Sequence, residues 1–172
     1  PGQTLPAYGV CQRGGQVIDI RFQYLAQGVQ AGAGGQGRGQ AVGQLRKVTA
    51  QLHSYESLLE GNEKAQPLLE KGNALKDRIT QWEESLIQPR QKTFQDVINF
   101  NNQLNAELMY LRSFVDVAEP GLTGGAKERL KDLTAEWNAL SSERKSIVDE
   151  GMAEYNALYR ELDLPALILV EE

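Results

Sequence analysis

The sequence predicts an all-α fold, an antiparallel bundle of three to four long helices, and three observations predict it. Apolar residues recur at alternating steps of three and four across residues 44–164. The strong breaks, Gly61-Asn62, Pro89 and the EPGLTGG stretch at 119–125, fall between those runs. Strand-like alternation is confined to one short stretch, 16–25, and one strand cannot stand alone.

Residues 1–43 are different material from the rest. They hold 11 glycines, no lysine, and three arginines against one acid, Asp19. Gly28–Gly39 reads GVQAGAGGQGRG, and glycine is costly to order and carries no side chain to pack. The segment is therefore expected to be a poorly structured or extended Gly/Gln-rich arm or linker. Its one candidate strand is at 16–25, where Ile18, Ile20, Phe22 and Tyr24 alternate with polar residues. GAGGQG has the spacing of a dinucleotide-binding fingerprint. No buried strand leads into it and no acid follows at the right distance, so nucleotide binding is not assigned.

The first helix is expected from about Gln40 to Glu60, with Val42, Leu45, Val48, Leu52, Tyr55 and Leu59 on one face. Gly61 and Asn62 supply its stop. The second runs from about Asn62 to Gln88, with the seam Ala65, Leu68, Gly72, Leu75, Ile79, Trp82 and Leu86. Pro67 fits its first turn, Gly72 leaves room for a bulky neighbour, and Pro89 ends it. The link that follows carries Phe94, Val97, Ile98 and Phe100. It is too apolar for a free loop and is expected to pack on the bundle as a helical turn.

A third helix, about Asn101 to Val117, buries Leu104, Leu108, Leu111 and Val115, with Phe114 widening that face. The last runs from about Gly125 to Asp163, capped by Thr123 or a neighbour. Leu130, Leu133, Trp137, Leu140, Ile147, Tyr155, Leu158 and Leu162 line it, and Arg144 and Gly151 occupy seam positions. At that length it outreaches the other helices, being nearly 60 Å long at roughly 1.5 Å per residue. Leu164-Pro165 stops it, and 165–172 form an apolar and acidic tail. Short connections imply antiparallel neighbours.

The residues contain no catalytic constellation, and no catalytic, cofactor-binding or metal-ligating residue is assigned. Glu83 and Glu84 are adjacent on a helix and diverge by about 100°. Glu136, Glu143, Glu150 and Glu154 fall on a polar side interspersed with Lys127, Lys131 and Lys145, as surface pairs do. His53 has Ser54 and Glu56 nearby, but those spacings do not place an acid and a nucleophile on one side of it, and it reads as a partly exposed helix histidine. Ser141 and Ser142 lack a histidine partner and a nucleophile turn. Trp82 and Trp137 read as core, and Cys11 has no motif around it. Asn99, Asn101, Asn102 and Asn105 read as helix caps or as support for a buried loop. A net charge of -5 disfavours nucleic acid and anionic lipid. No apolar run approaches the roughly 20 residues of a membrane span.

From QLRKVTAQL (44–52) onward the chain resembles the C-terminal helical region of bacterial sortilin-like, BNR-repeat β-propeller proteins, many of them labelled glycosyl hydrolases. The stretches carrying the resemblance are WEESLIQ from Trp82, FQDVINFNNQLNAEL (94–108), LTAEWNAL (133–140) and YNALYRELDLPAL (155–167). The resemblance implies a noncatalytic accessory or interaction module, with the β-propeller of a parent protein or another protein as partner. It also implies an extracellular or periplasmic setting. Two alternatives stand beside it: the C-terminal piece of a glycosyl hydrolase-like extracellular enzyme, and a self-associating helical structural protein, a homo-oligomer. Residues 1–43 depart from the resemblance, which implies an acid-rich, glycine-poor helix before Leu45. They are either a divergent linker or the product of a reading-frame error upstream of about Val42; translation of the other two frames distinguishes these.

Overall fold

A computed structural model describes residues 35–117 and 123–165. Helix α1 spans Gly35–Leu58, and a 3-10 turn at Glu63–Ala65 leads into α2, Gln66–Leu86. A second 3-10 turn, Phe94–Ile98, precedes α3, Leu104–Val117. Helix α4, Gly124–Ser146, continues through a π turn at Ile147–Gly151 into α5, Met152–Glu161. The last three elements are one unbroken rod, so the described residues form a four-helix, all-α bundle without strands. The candidate strand at 16–25, Cys11 and the tail from 166 lie outside the described residues.

Helix α1 begins before the expected Gln40, and Gly35–Gly39 is helical rather than linker. Each glycine in a helix costs about 1 kcal/mol against alanine, so something must hold this turn. Arg38, Ala41 and Val42 are buried there, and Arg38 Nε donates to Asn105 Oδ1 at 2.9 Å. Docking on α3 offsets the glycine cost, and burial lowers the Arg38 guanidinium's pKa. The other helix ends follow their residues. Gly61 takes φ +80° after α1, and Asn62 Oδ1 accepts from Lys64 N at 3.0 Å. Thr123 Oγ1 accepts from Ala126 N at 3.2 Å and caps α4. Asp163 adopts φ 47° just past α5, a conformation that Asp tolerates better than bulkier residues.

The core is the seam read from the sequence. Leu45, Leu59, Leu68, Ile79, Leu86, Leu133 and Ile147 are its largest fully buried side chains. Registers are antiparallel. Arg46 pairs with Glu83 and Lys76 Nζ with Glu56 Oε2 at 2.6 Å, which sets α1 against α2. Lys71 Nζ meets Glu154 Oε2 at 2.7 Å and Arg78 Nη2 meets Glu143 Oε1 at 2.8 Å, which sets α2 against the last rod. Such exposed pairs fix register more than they stabilise, at about 0–1 kcal/mol each. Between them small residues face large ones. A Cβ on Gly72 would lie 3.3 Å from the Tyr155 ring, and a Cβ on Gly151 would lie 2.9 Å from Leu75 Cδ1. Gly72 therefore does leave room for a bulky neighbour, and Gly151 returns the arrangement from the opposite side.

Tyr155 sits against Gly72, with Tyr55 and Tyr159 beside it; those two rings lie 5.6 Å apart, edge to face. Burial first, then the neighbouring phenols, push the Tyr155 hydroxyl up to about 12. The unfolded chain titrates near pH 10, so the fold prefers the neutral phenol. This contribution to stability is complete below about pH 10 and is lost as pH rises toward about 12. Alkaline denaturation should therefore steepen above pH 10. In Tyr155→Phe that steepening should shrink, measured as the difference in urea midpoint between pH 8 and pH 11.

The long rod reaches past α1 and α2 at its α4 end. Its 38 residues measure about 57 Å, against about 31 Å for the 21 residues of α2, at roughly 1.5 Å per residue. Asn105, in the first turn of α3, already meets the first turns of α1. From there α3 runs antiparallel along the N-terminal half of α4, with Arg129 Nη2 on Glu107 Oε2 at 3.2 Å. Leu104 and Leu133 belong to the main core, whereas Val115 and Ala126 are buried outside it. The far part of α3 and the start of α4 thus form a two-helix hairpin that projects from a three-helix body.

Candidate functional site

Two regions of the described surface call for a functional account. One is the outer face of the hairpin. Helix α3 buries Leu104 and Val115 and half-buries Leu108 and Leu111. Met109 and Tyr110 lie away from that face and Phe114 on its flank; they are 60%, 71% and 48% exposed. The expectation that Phe114 widens the buried face is therefore corrected: among the described residues α3 has α4 behind it and no further helix over Phe114, which is 48% exposed. A helix apolar on both faces normally lies between two partners, and here one side has none among the described residues.

The lead-in to α3 is also corrected in part. Residues 94–98 do form a helical turn, but Val97 and Ile98 point outward, Ile98 at 84% exposure. Asp96 braces the turn: its Oδ2 accepts from Thr93 N and Lys92 N, each at 2.7 Å. Those two backbone donors hold its carboxyl below the usual carboxylate range. Phe100 is half-buried under the Arg90 guanidinium, which sits 5.8 Å from the ring centre.

The asparagines of this stretch do not cap α3. The Ala106 N–H bonds to the Gln103 carbonyl, which also accepts the Glu107 N–H, the first bond of the helix ladder. Asn102 Oδ1 accepts from Gln91 Nε2 at 3.2 Å, and the Asn101 and Phe100 carbonyls accept from Gln88 and Gln91. Asn105 serves Arg38. The cluster closes the 88–103 loop and anchors α1; in its polar satisfaction it is structural.

The second region is a polar cleft of about 250 Å³ between α1 and α4, lined by Gln40, Ala41, Gln44, Trp137, Ser141 and Arg144 among others. Ala41 and Trp137 are buried and form its apolar side. Arg144 Nη2 donates to Gln44 Oε1, while Arg144 Nε is buried without a hydrogen-bond partner. Neither Arg144 nor any other lining residue forms a salt bridge among the described residues.

The titratable candidates of the sequence do not converge. Glu83 is occupied by Arg46, and Glu84 is exposed beside it. His53 Nδ1 does reach an acid, Glu56 Oε2, at 3.2 Å, a contact the residue spacing had not been credited with. Lys76 and then His53 hold the Glu56 carboxyl below its usual range, while Ser54 Oγ is turned to the Ala50 carbonyl. Ser142 Oγ likewise bonds back to Asn138 O. Trp82 is core, with Nε1 on Leu140 O at 2.7 Å. No described helix is long and apolar enough to cross a membrane. No three His, Cys, Asp or Glu among the described residues group as metal ligands. Comparison of the chain with protein-family models, with curated proteins and with solved structures returns no match in any of the three.

Proposed function

We propose that this chain is a noncatalytic helical interaction module that docks a protein partner on the outer face of the α3–α4 hairpin. The exposed trio Met109, Tyr110 and Phe114 carries the reading. Aromatic and methionine side chains are enriched in interface cores, and they sit here at the end of the molecule where the bundle is only two helices thick. Glu56, Glu83, Glu143 and Glu154 pair with surface cations, and Ser54 and Ser142 bond to backbone carbonyls, which fits a scaffold better than a reaction centre. The sequence resemblance adds the kind of partner: a β-propeller or other β-rich domain of the same parent protein.

The test is a binding measurement. A propeller domain encoded in the same reading frame should bind the purified chain. Met109→Glu/Tyr110→Glu/Phe114→Glu should weaken that binding roughly a hundredfold or more, as loss of a hot-spot cluster does, while the melting curve barely moves. Concentration-dependent dimerisation abolished by the same triple change would replace the partner domain with a second copy. Saturable hydrolysis of a glycan by the purified chain, lost on changing one acid, would overturn the reading altogether.

A further inference from the structure

We propose that the cleft between α1 and α4 binds a small organic carboxylate, gripped by the Arg144 guanidinium. Arg144 stands on the seam of α4, between Leu140 and Ile147, where the helical period calls for an apolar side chain. It is half-buried, and its Nε is shut from solvent with no acceptor. A buried N–H of a charged group left without an acceptor is costly, and native structures rarely leave one without a reason. Lys71, Lys76 and Arg78 meet carboxylates, those of Glu154, Glu56 and Glu143. Arg144 meets only a neutral amide, that of Gln44, as the buried Arg38 does with Asn105, but the Arg38 Nε has its acceptor and the Arg144 Nε has none.

The cavity beside it has the matching chemistry. Its polar lining includes Gln40, Gln44 and Ser141 and no acid, so the Arg144 charge is uncompensated there. The hydroxyl of Ser141 and the amides of Gln40 and Gln44 can donate to an oxygen anion. A carboxylate that displaces the Gln44 amide oxygen from Arg144 Nη2 can take that N–H together with the unsatisfied Nε–H beside it, the spacing a carboxylate accepts with both oxygens. The buried indole of Trp137 and the Ala41 methyl supply an apolar wall for the body of the ligand. A volume of about 250 Å³ restricts that body to one ring or a few carbons. An inorganic oxyanion would satisfy the fork but leave that wall uncovered, which is why a carboxylate with an apolar body is the better fit.

The experiment titrates sodium benzoate into the ¹⁵N-labelled full chain at constant ionic strength. It follows the Nε–Hε signal of Arg144 and the indole N–H of Trp137. Both should shift saturably, and the thermal midpoint should rise with benzoate. Phosphate and chloride should shift them less. Arg144→Gln and Arg144→Lys should each weaken binding about tenfold or more, because lysine keeps the charge and loses the fork. A shift that is linear, or equal for benzoate and chloride, overturns the site. Tighter saturation by phosphate, or saturation by an acidic peptide alone, overturns the carboxylate assignment. If the variants fail to fold, the unaltered chain's own titration decides.

Discussion

Trp82→Ala is expected to lower the unfolding free energy by about 4 kcal/mol, the range found when a large buried aromatic is truncated. The indole is 2% exposed and packs where α2 crosses the rod, and its Nε1 donates to Leu140 O at 2.7 Å. Truncation removes the apolar surface, opens a cavity between two rigid helices, and releases the one polar tie between them at that level. Trp82→Phe separates the contributions. It keeps most of the packing and loses the hydrogen bond, and should cost about 1–2 kcal/mol. Urea unfolding followed by far-UV circular dichroism measures both. Domains of this kind are stable by about 5–15 kcal/mol, so the alanine variant should still fold, with a clearly earlier midpoint. A loss below about 1.5 kcal/mol in the alanine variant would show that Trp82 is not the tie between α2 and α4.

Gly151→Leu is expected to cost about 3 kcal/mol, at the upper end for overpacking a filled site. Even a Cβ there would lie 2.9 Å from Leu75 Cδ1 and 3.6 Å from Arg78 Nη1, and Leu75 is itself 4% exposed. Gly151→Ala should be far milder. The end of the Leu75 side chain can swing away, and alanine gains about 1 kcal/mol of helix propensity over glycine. Opposed effects of similar size should leave that variant near neutral. The decisive measurement is the pair. Leu75→Ala alone should cost about 2–5 kcal/mol by leaving a cavity. In the Leu75→Ala/Gly151→Leu double variant the new side chain enters the vacated space. The double should therefore be less destabilised than the two singles together, by about 1–3 kcal/mol of coupling. Additive costs would mean that the two positions do not face each other and that the register through the π turn differs from the one described.

Much of this arrangement is legible in the residues, for a physical reason. A seam needs apolar side chains at steps of three and four, and Leu68, Gly72, Leu75, Ile79, Trp82 and Leu86 keep that step without error, so α2 and its buried face follow directly. Gly61, Thr123 and Pro67 mark ends because their backbone or side-chain chemistry suits those ends and little else. The π turn also leaves a trace. Ile147, Gly151 and Tyr155 are two successive steps of four, where the rest of the last helix alternates four with three. That doubled step is what one extra residue in the helix wall looks like in sequence.

What escaped the residues depends on partners far away in sequence. Nothing local says that Gly35–Gly39 is helical, because the stabilising contact is Arg38 with Asn105, across 67 residues. Phe114 carries nearly the same periodicity as its buried neighbours, yet it is left in solvent because no third helix among the described residues lies beside it. The polar cleft is hidden for a similar reason: Gln40 and Gln44 belong to α1, Ser141 and Arg144 to α4, and the seam position of Arg144 does not by itself say what lies across from it. The acid beside His53 is a reminder that a step of three on a helix is already a contact.

The two-helix thickness of the hairpin also bears on cooperativity. In the body each helix is held by at least two others, so its amides should exchange with solvent only when the whole domain unfolds. Beyond Leu111, the last residue of α3 that packs against the main core, α3 leans on α4, and a short helix with one contact face is marginal in water. That stretch belongs to the low end of the stability scale, able to open while the body stays closed. A partner that covers Met109, Tyr110 and Phe114 would then do more than bury three side chains. It would finish the folding of the hairpin, and part of the binding free energy would be spent on ordering it.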